Sequence, residues 1–274
     1  MPRRRILRRI VGSPSGFLGL MLTGLVVVAG VCAPWLAPYD PFAVDGPSLA
    51  GPSRTYLMGT DALGRDLFSG VIFGARTALI VAGTTAVIVL AIGLLVGTVS
   101  GYVGGRVDDL MMRFTEFFQV IPRFFTAIIV VALFGPGLDR LVLVLGLTSW
   151  SMLARVVRAE VLSLRRRDFV EAARADGASH GRIMLRELLP NALPAALVYL
   201  GLIVAQVLLI EASLGFLGLG DPNAMSWGFL ASEAQRFLRV AWWLSVFPGL
   251  SIVVAVLGLN LLGDAVTDQA GGRP

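Results

Sequence analysis

The sequence predicts an all-α polytopic membrane protein with six transmembrane helices. Three observations lead there. Hydrophobic residues make up 56% of the 274 positions and charged residues only 15%, where a soluble domain carries about 25%. Mean hydropathy is +0.79. Charge-free intervals recur at the length of a bilayer crossing, which needs about 20 helical residues. The Arg residues are shared unequally between the two sets of connections that those crossings define.

The elements follow in order. Residues 1–16 form an Arg-rich N-terminus, and Phe17–Ala37 fits a first crossing because no charge occurs between Arg9 and Asp40. A secretory signal could look similar. However, the apolar run is long, and Val31 before Cys32 does not suit a lipoprotein cleavage site. Residues 38–75 form a segment on the opposite side, rich in Pro, Gly, Asp and Ser up to residue 70. Within its GTDALGRDLFSG stretch, Thr60 or Asp61 is expected to cap a short surface helix.

The core at 76–264 carries five further crossings. These are Thr77–Gly101, Phe114–Phe134, Leu138–Val157, a segment within Leu188–Leu219 and Ala241–Leu262. The third and fourth include Arg, and the fifth is interrupted only by Glu211. Residues 265–274 form a tail. Gly93, Gly97 and Gly101 sit at spacing four, the small-residue pattern that lets helices approach closely. Asn260 is expected to hydrogen-bond between helices.

Six crossings put both termini on one side. That side, with the N-terminus, residues 102–113, residues 155–187 and the tail, holds 16 Arg against 6 on the other. The positive-inside rule makes it cytoplasmic. The same distribution explains the pI near 10.3 without a nucleic acid, because the Arg residues flank apolar runs.

Several chemistries are excluded. All 23 basic residues are Arg. Without Lys, the chain cannot itself be a P-loop ATPase or form a Schiff base. One Cys (Cys32) and one His (His180) leave no intrachain disulfide and no metal-ligand cluster. An intramembrane serine protease needs a His within the spans, and His180 lies in a loop.

The most informative segment is the polar loop 163–190, and within it DFVEAARADGASHGRIMLRELLP at 168–190. Asp168 and Glu171 have the spacing of a capping box. Ala172, Ala173 and Ala175 favour helix, and Gly177 can end it at positive φ. Ser179 can cap a second helix carrying Ile183, Leu185, Leu188 and Leu189, which Pro190 is expected to stop. Two short helices joined by a glycine at a membrane surface suit a docking element. An ordinary cytoplasmic helix–turn–helix would share the spacing.

Polar residues inside the spans are functional candidates. Only 11 residues lie between Arg123 and Gly135, about 16 Å of helix, and Pro122 beside Arg123 can kink the helix. It either faces protein or water, or reaches the cytoplasmic surface to pair with Glu116. Glu211 interrupts its span, with Gln206 just over one turn earlier, and Gln119 one turn before Arg123 completes the set.

Further stretches carry a resemblance. APYDP (37–41), MGTDALGRDLFSGVIFGART (58–77), GYVGG (101–105), the run 146–179, LPNALPAAL (189–197), EASLGFLGLG (211–220), SWG (226–228), FPGL (247–250) and NLLGD (260–264) occur in order. Together they resemble the C-type permease subunit of the dipeptide/oligopeptide/nickel ABC importer family. The resemblance implies a type I ABC importer permease fold with a cytoplasmic coupling helix, and a multi-pass bacterial inner-membrane location.

The implied partners are a homologous second permease, two cytoplasmic ATPases, an extracytoplasmic solute-binding protein and membrane lipid. This chain itself would hold no cofactor, with ATP and Mg bound by the ATPases. Asp168, Phe169, Val170, Glu171, Ala172, Ala173, Gly177, Arg182, Arg186 and Glu187 would dock the ATPase. In that arrangement Glu171 pairs with an ATPase Arg, while Phe169, Val170, Ala172 and Ala173 fill an apolar groove. Gln119, Arg123, Gln206 and Glu211 would line the translocation pathway, with Glu211 at its outer gate and Arg123 at its inner gate.

Three features depart from the family pattern. Arg186–Glu187 stands where Arg-His is usual, DPNAM (221–225) is short, and the tail reads TDQAGGRP. Two other classes remain open: an ion-coupled secondary transporter, which would not need the docking loop, and a receptor or scaffold without transport.

Overall fold

Every regular element among the described residues is helical. The computed structural model describes residues 12–271, with side chains through 267. Arg3, Arg4, Arg5, Arg8, Arg9 and Arg273 lie outside them. The elements are α1 (Pro14–Val31), α2 (Ala33–Leu36), α3 (Leu67–Val103), α4 (Gly105–Val120), α5 (Arg123–Phe134), α6 (Leu138–Leu164), α7 (Asp168–Ala175) and α8 (His180–Arg182). A π-helical segment (Ile183–Leu188) leads into α9 (Leu189–Phe216), and α10 (Trp227–Ala234) and α11 (Trp243–Gly271) follow.

Contacts divide the chain into two units. One comprises residues 1–83, 128–142 and 204–274, and the other residues 84–127 and 143–203. In the first, α1 packs on α11 through small residues. A Cβ on Gly19 would lie 2.7 Å from the Leu262 nitrogen, and one on Gly258 would lie 2.9 Å from the Thr23 nitrogen. Residue numbers rise along one helix as they fall along the other, so α1 and α11 are antiparallel. First and last crossings of opposite sense require an even number of crossings. Among the described residues five helices are long and apolar enough to cross, and the bent pair α4–α5 supplies a sixth.

Residues 38–66 are pinned to this unit. The Trp243 indole donates to the Thr60 carbonyl at 3.2 Å, and the Thr60 hydroxyl donates to Pro47 O while accepting from the Ala50 amide. The expected helix capped by Thr60 or Asp61 does not form. Asp61 instead accepts the amides of Leu63 and Arg65, closing a turn. The cap belongs to Asp66, whose carboxylate accepts the Ser69 amide at 2.8 Å where α3 begins. Trp227 anchors α10 on α3 by donating to Val71 O at 2.9 Å.

In the second unit the glycine stripe packs as its spacing predicts. A Cβ would lie 2.9 Å from Leu153 Cβ at Gly93, 2.6 Å from Ala154 O at Gly97 and 2.9 Å from Arg158 O at Gly101. The numbers rise together, so α3 and α6 are parallel. Residues 104–137 must then return across the bilayer between them, which again makes α4–α5 one crossing.

That crossing is not the continuous helix expected over Phe114–Phe134. It breaks at Ile121–Pro122, and the two halves meet at 72°. The ring of Pro122 drives the preceding residue out of the helical region, and Ile121 has φ −82° and ψ 119°. Arg123 therefore opens α5 rather than sitting within a helix. The end of α5 holds as expected, with Gly135 at φ +82°.

Candidate functional site

The loop 163–190 starts where α6 ends, and three polar links hold its base. The Arg158 guanidinium donates twice to Asp108, each bond 2.6 Å long, and the Ser100 hydroxyl bonds the same carboxylate. These ties join α6, α4 and α3, and Asp108 is only 7% exposed. Arg165 donates to the carbonyls of Gly101 and Tyr102 at 2.9 and 3.3 Å. A cation there satisfies the unpaired carbonyls at the C-terminus of α3 and complements its dipole. The sequence reading missed these residues. Arg158 and Arg165 are one heptad apart, with Arg158 in the last turns of α6 and Arg165 just past its end, and that spacing is the only local signal.

α7 begins one residue away from the predicted cap. Arg167 is the N-cap and makes no side-chain capping bond, while its carbonyl accepts the amides of Val170 and Glu171. The capping box of Asp168 and Glu171 is therefore not formed. One residue is 100° of helix, and the observed register turns Val170 fully inward, at 0% exposure. Burial of a valine, worth about 1.5–3 kcal/mol, outweighs a cap worth about 1 kcal/mol. Asp168 and Glu171 remain in the first turn, where acidic side chains favour the helix dipole.

The same register corrects the expected groove-filling set. Val170 anchors α7 to its own chain, so it is not available to a partner. Asp168, Glu171 and Ala172 are exposed, and Phe169 and Ala173 are half-buried.

The end of α7 follows the sequence. Gly177 has φ +76°. The Ala178 amide bonds Ala173 O and the Gly177 amide bonds Arg174 O, the paired bonds of a Schellman turn. Ser179 then caps α8, its hydroxyl accepting the Arg182 amide. Arg182 and Arg186 are exposed and Glu187 is half-buried.

Pro190 does not stop the second helix. The preceding turn widens into the π segment, with the Leu189 amide reaching Met184 O. A wider turn relieves the clash between a proline ring and the carbonyl four residues back. The helix therefore continues from α8 into α9.

The polar residues within the spans fall in two places. Gln119 and Arg123 meet α6 across the Pro122 break. Gln119 donates to Ser151 O at 3.3 Å and accepts from Arg155 at 2.7 Å, and Arg123 contacts the Met152 sulfur. Glu211 belongs to the other unit. It is 4% exposed, and the Ser226 hydroxyl, the cap of α10, hydrogen-bonds it. Gln206 is exposed. The segment 221–225 also has a structural task, because the Asp221 carboxylate accepts the Leu138 amide at the start of α6.

Comparison with known proteins identifies this architecture. Residues 90–270 match the model of the family described as "Binding-protein-dependent transport system inner membrane component". The chain is 38% identical, over 91% of its length and 85% of the relative's, to the Di/tripeptide transport system permease protein DppC of Pseudomonas aeruginosa (strain UCBPP-PA14). It is 36% identical to the Oligopeptide transport system permease protein OppC of Haemophilus influenzae, over 95% of this chain and 85% of the relative. It is 35% identical to the Nickel transport system permease protein NikC of Escherichia coli (strain K12), over 92% of each chain. The chain thus belongs to the binding-protein-dependent transport system inner membrane component family, as a multi-pass, C-type permease subunit of the dipeptide/oligopeptide/nickel ABC importers.

Proposed function

We propose that this chain forms half of the translocation pathway of an ATP-driven importer of di- or oligopeptides. It pairs with a similar second permease, receives solute from an extracytoplasmic binding protein and couples to two cytoplasmic ATPase subunits, which bind ATP and Mg. The peptide assignment draws on the similarity to the di/tripeptide and oligopeptide permeases. The orientation, with both termini and loop 163–190 cytoplasmic, draws on the Arg asymmetry.

The observation that carries the coupling role is the construction of α7. It is a short helix pinned by Val170, closed by Gly177, and presenting Asp168, Glu171 and Ala172 outward. A rigid element with an exposed acidic residue suits a groove lined by cations and transmits rigid-body motion. Arg182, Arg186 and Glu187 flank it. Gln119, Arg123, Gln206 and Glu211 are assigned to the pathway, which opens alternately to each side.

Replacing Glu171 by Ala tests the reading. The permease should still insert, and the ATPase subunits should no longer co-purify with it. Retention of ATPase at the wild-type level would overturn the coupling role. The similarity to the nickel permease over 92% of both chains supports nickel complexes as a second solute class. Uptake of a labelled dipeptide against nickel in the reconstituted complex separates the two.

A further inference from the structure

Tyr102 is the penultimate residue of α3, and three separate parts of the loop converge on it. The residue is 9% exposed. Its hydroxyl lies 2.8 Å from His180 Nδ1, at the first residue of α8. The guanidinium of Arg174, in the last turn of α7, stands 5.7 Å from the ring centroid. The Tyr102 carbonyl is bonded by Arg165 in the linker between α6 and α7.

Each half of the elbow thus has its own tie to the same side chain, and Gly177 sits between the two ties. An elbow closed only by Gly177 would fix the angle between α7 and α8 but not their placement on a membrane helix. The base network of Asp108, Arg158 and Ser100 holds α3, α4 and α6, but it touches neither α7 nor α8.

We propose that Tyr102 is a positioning residue that fixes the α7–α8 elbow to the cytoplasmic end of α3. Movement of α7 would then pass into a transmembrane helix through one phenol ring. The proposal rests on the reading of α7 as the ATPase-docking helix. Tyr102 touches neither solute nor ATPase. Its role is to hold the hydrogen bond to the chain's only His and the cation–π contact to Arg174 in one geometry. An elbow freed from α3 keeps its own turn at Gly177 and still presents Glu171, so docking survives while each ATP cycle moves α3 less.

The test uses the whole complex, with second permease, ATPases and binding protein, in proteoliposomes. Tyr102→Phe removes the hydroxyl and keeps the ring. His180→Ala removes the other partner, and His180→Asn places an amide oxygen where Nδ1 stood. Spin labels at Leu95→Cys and Ala175→Cys, in a Cys32→Ser background, report the distance from α3 to α7.

Wild type should give one narrow distance peak. Tyr102→Phe and His180→Ala should each broaden it and lower labelled dipeptide uptake per ATP hydrolysed severalfold. The double variant should be no worse than either single, His180→Asn should restore both readouts, and ATPase retention should stay unchanged throughout. A narrow peak and wild-type uptake per ATP in Tyr102→Phe would overturn the proposal. So would a loss of uptake matched by loss of the ATPases, which would put Tyr102 in the docking surface or the fold. Failure of the docking reading itself shows separately, as ATPase retention by Glu171→Ala in the same preparation.

Discussion

Gly177 tests whether the shape of the elbow matters independently of its contacts. Its φ is +76°, and a Cβ built on it would meet nothing within 4 Å. A substitution there creates no clash, so any effect comes from backbone conformation alone. An L-residue in the left-handed region costs roughly 1–2 kcal/mol, which reduces the population of the closed Schellman turn about 5- to 30-fold. Gly177→Ala should show that loss. Gly177→Val should exceed it, because a β-branched residue is a genuine outlier at positive φ. Gly177→Asn should fall closest to wild type, since Asn visits this region far more readily. The assay is the fraction of complexes that retain ATPase after purification, together with ATP-driven uptake. Retention ordered Gly, Asn, Ala, Val supports the argument. Equal retention for Gly and Val would refute it, because the elbow would then not depend on the turn that closes it.

Two further outcomes are expected. Gly97→Ala should lower the unfolding midpoint of the purified complex relative to Gly83→Ala on the same helix. A Cβ at position 97 falls 2.6 Å from Ala154 O while one at 83 meets nothing within 4 Å, and overpacking costs about 1–3 kcal/mol; equal midpoints would refute the close approach of α3 to α6. For orientation, single cysteines at positions 174 and 54 in a Cys32→Ser background should label with an impermeant reagent only from the cytoplasm and only from outside, respectively. External labelling at 174 would reverse the topology.

Crossings are legible because a charge in hydrocarbon is expensive, so charge-free intervals mark hydrocarbon. They do not mark helix ends. α3 begins at Leu67, ten residues before the predicted Thr77, because Arg76 is exposed and a helix tolerates it. The break at Ile121–Pro122 was visible only as a proline. Composition cannot separate a mild kink from a 72° bend, which depends on what each half packs against. The glycine stripe of Gly93, Gly97 and Gly101 was readable because its meaning is purely steric.

In the loop, the features that needed one residue's backbone preference were legible, and those that needed a distant partner were not. Gly177 and Ser179 act within their own turns and behave as their residue types require. The Asp168 cap failed because the register of α7 is set by Val170, whose burial depends on residues outside the segment. The Pro190 stop failed because a π turn accommodates the ring and the helix runs on. Asp108–Arg158 and Tyr102–His180 are separated by 50 and 78 positions, and no periodicity connects them. These long-range ties also explain how an eight-residue helix, too short to be stable alone in water, can act as a rigid element. Its inner face is anchored by Val170, its end is fixed by Gly177, and its linker and last turn are tied to α3 through Arg165 and Tyr102. The exposed acidic face is therefore held by the membrane helices, and under the proposed coupling role a push on Glu171 would pass into α3 through these ties.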